Sequence, residues 1–168
     1  LQIDGDNEGL KKTDVMIRTS LIDSQTETLT LSEQDLDDIK QAVLNAELDT
    51  SGEILVHVED VCSGDVMDRA NEVFYQKVGY KTANCNGVLF YLAIRNRKFA
   101  VISDKGITLA TSPLFWEALK LEMLDYFREN RFTDGLIHGI GRTGQYLKSF
   151  FPYHHNDVNE LPDEVSIG

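Results

Sequence analysis

Asn86 and Asp104 carry the two side chains whose type and spacing most readily suggest chemistry. They bracket the stretch NGVLFYLAIRNRKFAVISDKG, from Asn86 to Gly106. One supplies an amide oxygen, the other a carboxylate, and both are metal-capable donors. Between them, Val88 to Ile94 is an almost unbroken apolar run, which predicts a strand covered on both faces. Phe99 to Ile102 is a second such run. Arg95-Asn96-Arg97-Lys98 reads as a charged turn, with Asn96 available for a left-handed conformation. A hairpin folds the chain back, so Asn86 and Asp104 are expected on one edge of a sheet, beside the loop that starts at Gly79.

The surrounding elements decide what else reaches that edge. Thr30 and Ser32 both offer N-caps; with Ser32 as cap, Leu31 and Leu36 form a hydrophobic staple, and Leu36, Ile39, Val43 and Ala46 recur at helical spacing to about Leu48. Glu53 to Asp60 reads as a strand, and Asp65 caps a second helix through Ala70, Val73, Phe74 and Val78. Ser112-Pro113 opens a third long helix, expected to run to about Asn130. Thr133 is the expected cap of a last helix ending near Phe151-Pro152. The order α-β-α-β-β-α-α predicts an α/β fold with a mixed sheet and helices on both faces. The first two strands are joined by a helix, so they are expected to run parallel through a right-handed crossover. Glu53 and Asn86 then begin neighbouring strands at one edge, and Asp104 ends the third strand there. The loop up to Asn86 brings Thr82 and Asn84 to the same place. Glu59, Asp60 and Asp65 fall at the opposite edge. Cys62 and Cys85 therefore sit at opposite ends of the sheet, too far apart to bond.

Composition sets the outer bounds. A chain of 168 residues with 42% hydrophobic content suits one globular domain. No apolar run is long enough to span a bilayer. The net charge of -12 excludes the basic footprint of a nucleic-acid binder and disfavours an anionic membrane surface. Residues 1–30 carry -3 and residues 151–168 carry -4, so the middle of the chain is only mildly acidic. The chain divides into a polar N-terminal tail over 1–30, a domain over 31–152 and an acidic C-terminal tail over 153–168. The N-terminal tail is expected to be flexible, with an added edge strand as the alternative.

The hairpin, together with SGEILVHVED, FYQKVGYKTANCNGVL and FRENRFTDGLIHGIGRTGQYLKSFFP, resembles the TPM domain family in order and spacing over roughly residues 31–152. The chain looks most like the short, soluble, cytoplasmic bacterial branch. The resemblance implies a three-layer α/β/α sandwich around a small mixed sheet. Family members include a thylakoid-lumen protein associated with acid phosphatase activity and photosystem II repair, and some bind calcium or other divalent ions. Carried onto this chain, the loop motif matches Asn84, Cys85, Asn86 and Gly87, the Asp-Lys-Gly turn matches Asp104, Lys105 and Gly106, and Glu53 matches the start of the first strand. Cys85 stands where many relatives have an acid. Asp104, Asn86, Glu53 and Asn84 are thus the expected ligands of a Ca²⁺ ion, or of Mg²⁺ or another divalent cation, with carbonyls and water completing six to eight oxygens.

Other motifs have plainer readings. Gly139-Ile140-Gly141-Arg142-Thr143-Gly144 matches GxGxxG, but it lies inside a helix rather than between a strand and a helix, so close helix packing is expected. Asp4-Gly5-Asp6-Asn7-Glu8-Gly9 imitates an EF-hand loop, yet Val15 occupies the position that requires Glu. His154-His155 reads as a solvated tail, His57 as a packed or edge histidine, and Trp116 and Phe115 as core. No organic cofactor is indicated. Two functions remain. One is a non-catalytic, monomeric module that binds divalent cations and meets another protein. The alternative is a metal-assisted acid phosphatase, with Lys81 and Lys105 clamping phosphate and Asp104 as nucleophile or general base.

Overall fold

The computed structural model describes residues 2–4, 31–78, 85–153 and 165–168. Among these residues, five strands form one mixed sheet: β1 (Gln2–Asp4), β2 (Glu53–Glu59), β3 (Gly87–Ala93), β4 (Lys98–Ser103) and β5 (Ser166–Ile167). Their order is β1-β4-β3-β2-β5. β2 and β3 are parallel, with Glu53 opposite Gly87. β3 and β4 form the expected antiparallel hairpin, with Val88 opposite Ser103. The helices are α1 (Glu33–Glu47), α2 (Val66–Lys77), α3 (Lys105–Ala110), α4 (Pro113–Arg128) and α5 (Phe132–Leu147).

Local chemistry accounts for most boundaries. Ser32 and Asp35 form a capping box at the start of α1, each side chain accepting the other's backbone N–H. Asp65 accepts the N–H groups of Met67 and Asp68 at 2.9 and 3.1 Å, which opens α2. Ser112 caps α4, with Pro113 in its first turn.

The alternation of the central strands splits the interior into two cores. Ile54, Val56, Val58, Val88, Phe90, Leu92, Phe99 and Val101 face one side, covered by α1, α4 and α5. Leu55, Leu89, Tyr91, Ala93, Ala100 and Ile102 face the other, where Val66, Ala70, Val73 and Val78 cover them. The result is the three-layer α/β/α sandwich, with Trp116 buried in the larger core. Phe115 is only partly buried and stacks on Tyr146 at 3.8 Å between ring centres.

Four details differ from the sequence expectation. The short helix α3 follows β4 directly, so Asp104 is its N-cap rather than part of an open turn. α5 begins at Phe132 without a side-chain cap, because Asn130 turns left-handed (φ 64) and Phe132 inserts against Phe127. α5 ends at Leu147, and the following turn is tied down where the Ser51 N–H donates to the Phe151 carbonyl at 2.8 Å. In the hairpin, Arg97 rather than Asn96 is left-handed (φ 54), because Asn96 Oδ1 is engaged by the Cys62 N–H at 2.6 Å.

At the chain ends, Gln2–Asp4 pair with β4 and Ser166–Ile167 pair with β2. The glycines of the GxGxxG run act as packing residues at two of three positions. A Cβ on Gly139 would lie 2.7 Å from Met123 Sδ, and one on Gly144 would lie 2.7 Å from the Ala46 Cβ; Gly141 meets nothing within 4 Å. Cys62 is buried, Cys85 is exposed, and both are free thiols. Among the described residues, no helix is long and apolar enough to cross a membrane.

Candidate cation site at the loop edge

The register of β2, β3 and β4 brings the start of β2, the start of β3 and the end of β4 to one edge. Three backbone hydrogen bonds lace that edge together. The Glu53 N–H donates to the Asn86 carbonyl at 3.1 Å, the Asp104 N–H to Gly87 at 2.8 Å, and the Gly106 N–H to Cys85 at 2.8 Å. Gly87 is required at this crossing because a Cβ there would lie 2.5 Å from Val78 Cγ1, at the end of α2. Cys85 adopts φ 50, an uncommon conformation for a non-glycine residue, and this turns its carbonyl toward Gly106.

Asn86 is only 3% exposed, and its Nδ2 donates to the Ser51 carbonyl at 2.9 Å. That bond fixes the amide plane and holds the end of the α1–β2 connection against the loop. Glu53, on β2, is 5% exposed. Asp104 is partly buried and accepts the Lys105 N–H on Oδ1 at 2.8 Å. Its own carbonyl receives the Thr108 N–H at 2.9 Å, and Thr108 Oγ1 lies 2.9 Å from Ser103 Oγ.

Glu53, Asn86 and Asp104 thus share one edge, as their order along the chain predicts. Asn84, the fourth expected ligand, lies outside the described residues, as do Thr82, Lys81, His154 and His155. Among the described residues at this edge, Glu53, Asn86 and Asp104 offer side-chain oxygens, and the Cys85 thiol is exposed. Such a set suits Ca²⁺ or Mg²⁺ better than zinc or copper. Among the described residues, no group of three or more His, Cys, Asp and Glu side chains converges as a metal cage. A cation here would rely on the Asn86 amide, backbone carbonyls and water beside the two carboxylates.

The opposite end of β2 holds a polar cluster that the sequence reading did not assemble. The Glu59 carboxylate is 7% exposed. It accepts Arg69 Nε at 3.0 and 3.2 Å and is also paired with Arg69 Nη2. Tyr91 Oη donates to it at 2.5 Å. His57 Nε2 lies 3.3 Å from the same carboxylate, and its Nδ1 lies 3.0 Å from Ser166 Oγ. The His57 ring stacks on Tyr91 with centres 5.9 Å apart.

The electrostatics follow from these contacts. The Arg69 hydrogen bonds, against an opposing effect of burial, hold the Glu59 carboxyl down at about 2. Burial lowers the His57 imidazole despite the neighbouring Glu59. Burial, reinforced by the hydrogen bond to Glu59, raises the Tyr91 phenol well above its ordinary range. The available signal was His57-x-Glu59 inside an apolar strand, two polar residues on one face. What the sequence could not show was Arg69 reaching over from α2.

Similarity to known proteins agrees with the fold. The TPM domain family matches residues 24–146. The BA42 protein from the psychrophilic bacterium Bizionia argentinensis shares 36% identity and superposes with a TM-score of 0.79, over 86% of this chain and 99% of that one. The N-terminal domain of a P. gingivalis protein is 19% identical, with a TM-score of 0.58 over 82% of this chain and 93% of that one, and so shares the fold. A search of curated proteins finds no match. With three quarters of its length matched and a solved relative above one third identity, this chain belongs to the TPM domain family.

Proposed function

We propose that this TPM domain binds a divalent cation, Ca²⁺ first, at the edge formed by Glu53, Asn86 and Asp104, and that it acts as a binding module rather than a catalyst. The observation that carries this reading is the triple backbone lacing of Glu53 to Asn86, Gly87 to Asp104 and Cys85 to Gly106. These bonds fix the backbone positions of the three residues relative to one another, which supports a site that needs little ordering when an ion binds.

A metal-assisted phosphatase would need Asp104 as nucleophile or general base. That carboxylate already caps α3 through the Lys105 N–H, which suits a fixed ligand better than a group that must turn toward a substrate. The two functions separate in one assay. The full chain is incubated with a generic phosphomonoester, with and without chelator. The binding reading expects no chelator-sensitive turnover above background; clear chelator-sensitive turnover would replace it with the enzymatic one.

A further inference from the structure

The outer edge of β2 is covered, among the described residues, by β5 alone, over the two pairs His57–Ser166 and Val58–Ile167. An open strand edge offers a row of N–H and C=O groups to any extended chain. Residues 165–168 use that edge with a distinct requirement at each position. Val165 packs against the larger core. Ser166 Oγ meets His57 Nδ1 at 3.0 Å. Ile167 is 65% exposed and borders a cavity of about 260 Å³ with Leu31, Leu36, Val58 and Ile94. The Gly168 N–H donates to the Val58 carbonyl at 3.1 Å.

Position 168 is the most selective. A Cβ there would lie 2.6 Å from Glu59 Oε1 and 2.8 Å from His57 Nε2. The carboxylate cannot swing aside cheaply, because Arg69 and Tyr91 hold it. The His57 ring is likewise stacked on Tyr91. A firmly built surface therefore meets a short segment that contributes only two ladder pairs. We propose that the outer edge of β2 is a binding site for an extended peptide of the pattern aliphatic–hydroxyl–aliphatic–glycine, with Val165-Ser166-Ile167-Gly168 as its resident, exchangeable occupant. Binding is by strand addition: main-chain bonds supply the attraction, and His57 with Glu59 select a hydroxyl and then a glycine.

The test uses the full chain, ¹⁵N-labelled, in three forms: wild type, Gly168→Val and Ile167→Asp. The Val58 N–H points to the same side as its carbonyl, so its exchange with solvent reports on the occupied edge. Each variant should raise Val58 exchange by about tenfold or more, while central β3 amides such as Phe90 keep wild-type protection. A synthetic peptide of residues 163–168 should restore Val58 protection in both variants, with saturable shifts at 57–59. The same peptide with valine in place of its last glycine should not. The proposal is overturned by wild-type Val58 exchange in both variants, by no saturable response to the peptide, or by equal responses to the two peptides. Ile167→Asp changes an exposed side chain, so it decides the matter if Gly168→Val also loses protection in β3.

Discussion

Glu53 and Glu59 sit at the two ends of β2, on the same face by strand alternation, and both are almost fully buried. Their surroundings differ in kind. Glu59 is answered by the protein's own cation, Arg69, and by Tyr91 and His57. Glu53 begins the strand at an edge of loops, where backbone hydrogen bonds also bring the main chain at Asn86 and Asp104. One end of the strand closes its charge internally and stiffens the fold. The other end gathers oxygen donors on connections, where binding groups are commonly found. The same residue type on the same strand thus serves stability at one end and, as proposed here, ligation at the other.

The sharpest way to break this contrast is to remove the internal cation. Arg69→Met leaves Glu59 buried without its partner. The cost should be about 2–4 kcal/mol in denaturant unfolding, somewhat below a fully buried pair because Arg69 is one third exposed. Cation binding at the loop edge should be unchanged. Loss of binding in this variant would mean that the two ends are not separate.

Acid should weaken the closed end first. Glu59 is held below its ordinary value, so its contribution is full above about 4.5 and is lost as pH falls toward 2. His57 is also lowered, so the fold takes up its proton less readily than the unfolded chain, and stability declines as pH drops below 6.5. Both effects have the same sign. Unfolding free energy should fall continuously from neutral pH to pH 2, and Arg69→Met should flatten the segment between 4.5 and 2. An unchanged slope there would remove Arg69 as the cause.

Gly87→Ala probes the loop edge. Its Cβ would press on Val78, so the strand or the end of α2 must shift, at a cost of about 1–3 kcal/mol. Cation affinity should fall with it, because Asn86 and Asp104 are spaced through Gly87. A stability loss with intact affinity would show that the lacing does not position the ligands.

The paired apolar runs of the hairpin and the α-helical crossover made the sheet order around β2, β3 and β4 legible from the sequence, and with it the edge at which Glu53, Asn86 and Asp104 lie along the backbone. Ser32, Asp65 and Ser112 announced three helix starts through capping chemistry that is local by nature. The misses are tertiary or weak in local signal. Lys105–Ala110 is six residues long and holds Gly106, Ile107 and Thr108, all poor helix formers, so α3 shows only through its Asp104 cap. Ser166–Ile167 is a two-residue strand within an acidic stretch, and its pairing depends on His57 and Val58 far away in the chain. Arg97 takes the left-handed position because Asn96 serves Cys62, a contact between distant segments.

The central claim rests on the loop edge, and Asp104→Asn tests it most directly. Asparagine caps a helix about as well as aspartate, so stability should stay within about 0.5 kcal/mol of wild type. A Ca²⁺ titration of the ¹⁵N-labelled full chain should give saturable shifts clustered at residues 79–87 and 103–107, and Asp104→Asn should weaken binding by roughly tenfold or more, equivalent to about 1.4 kcal/mol. Shifts confined to the acidic stretches 1–30 and 153–168, or equal affinity in wild type and Asp104→Asn, would contradict it.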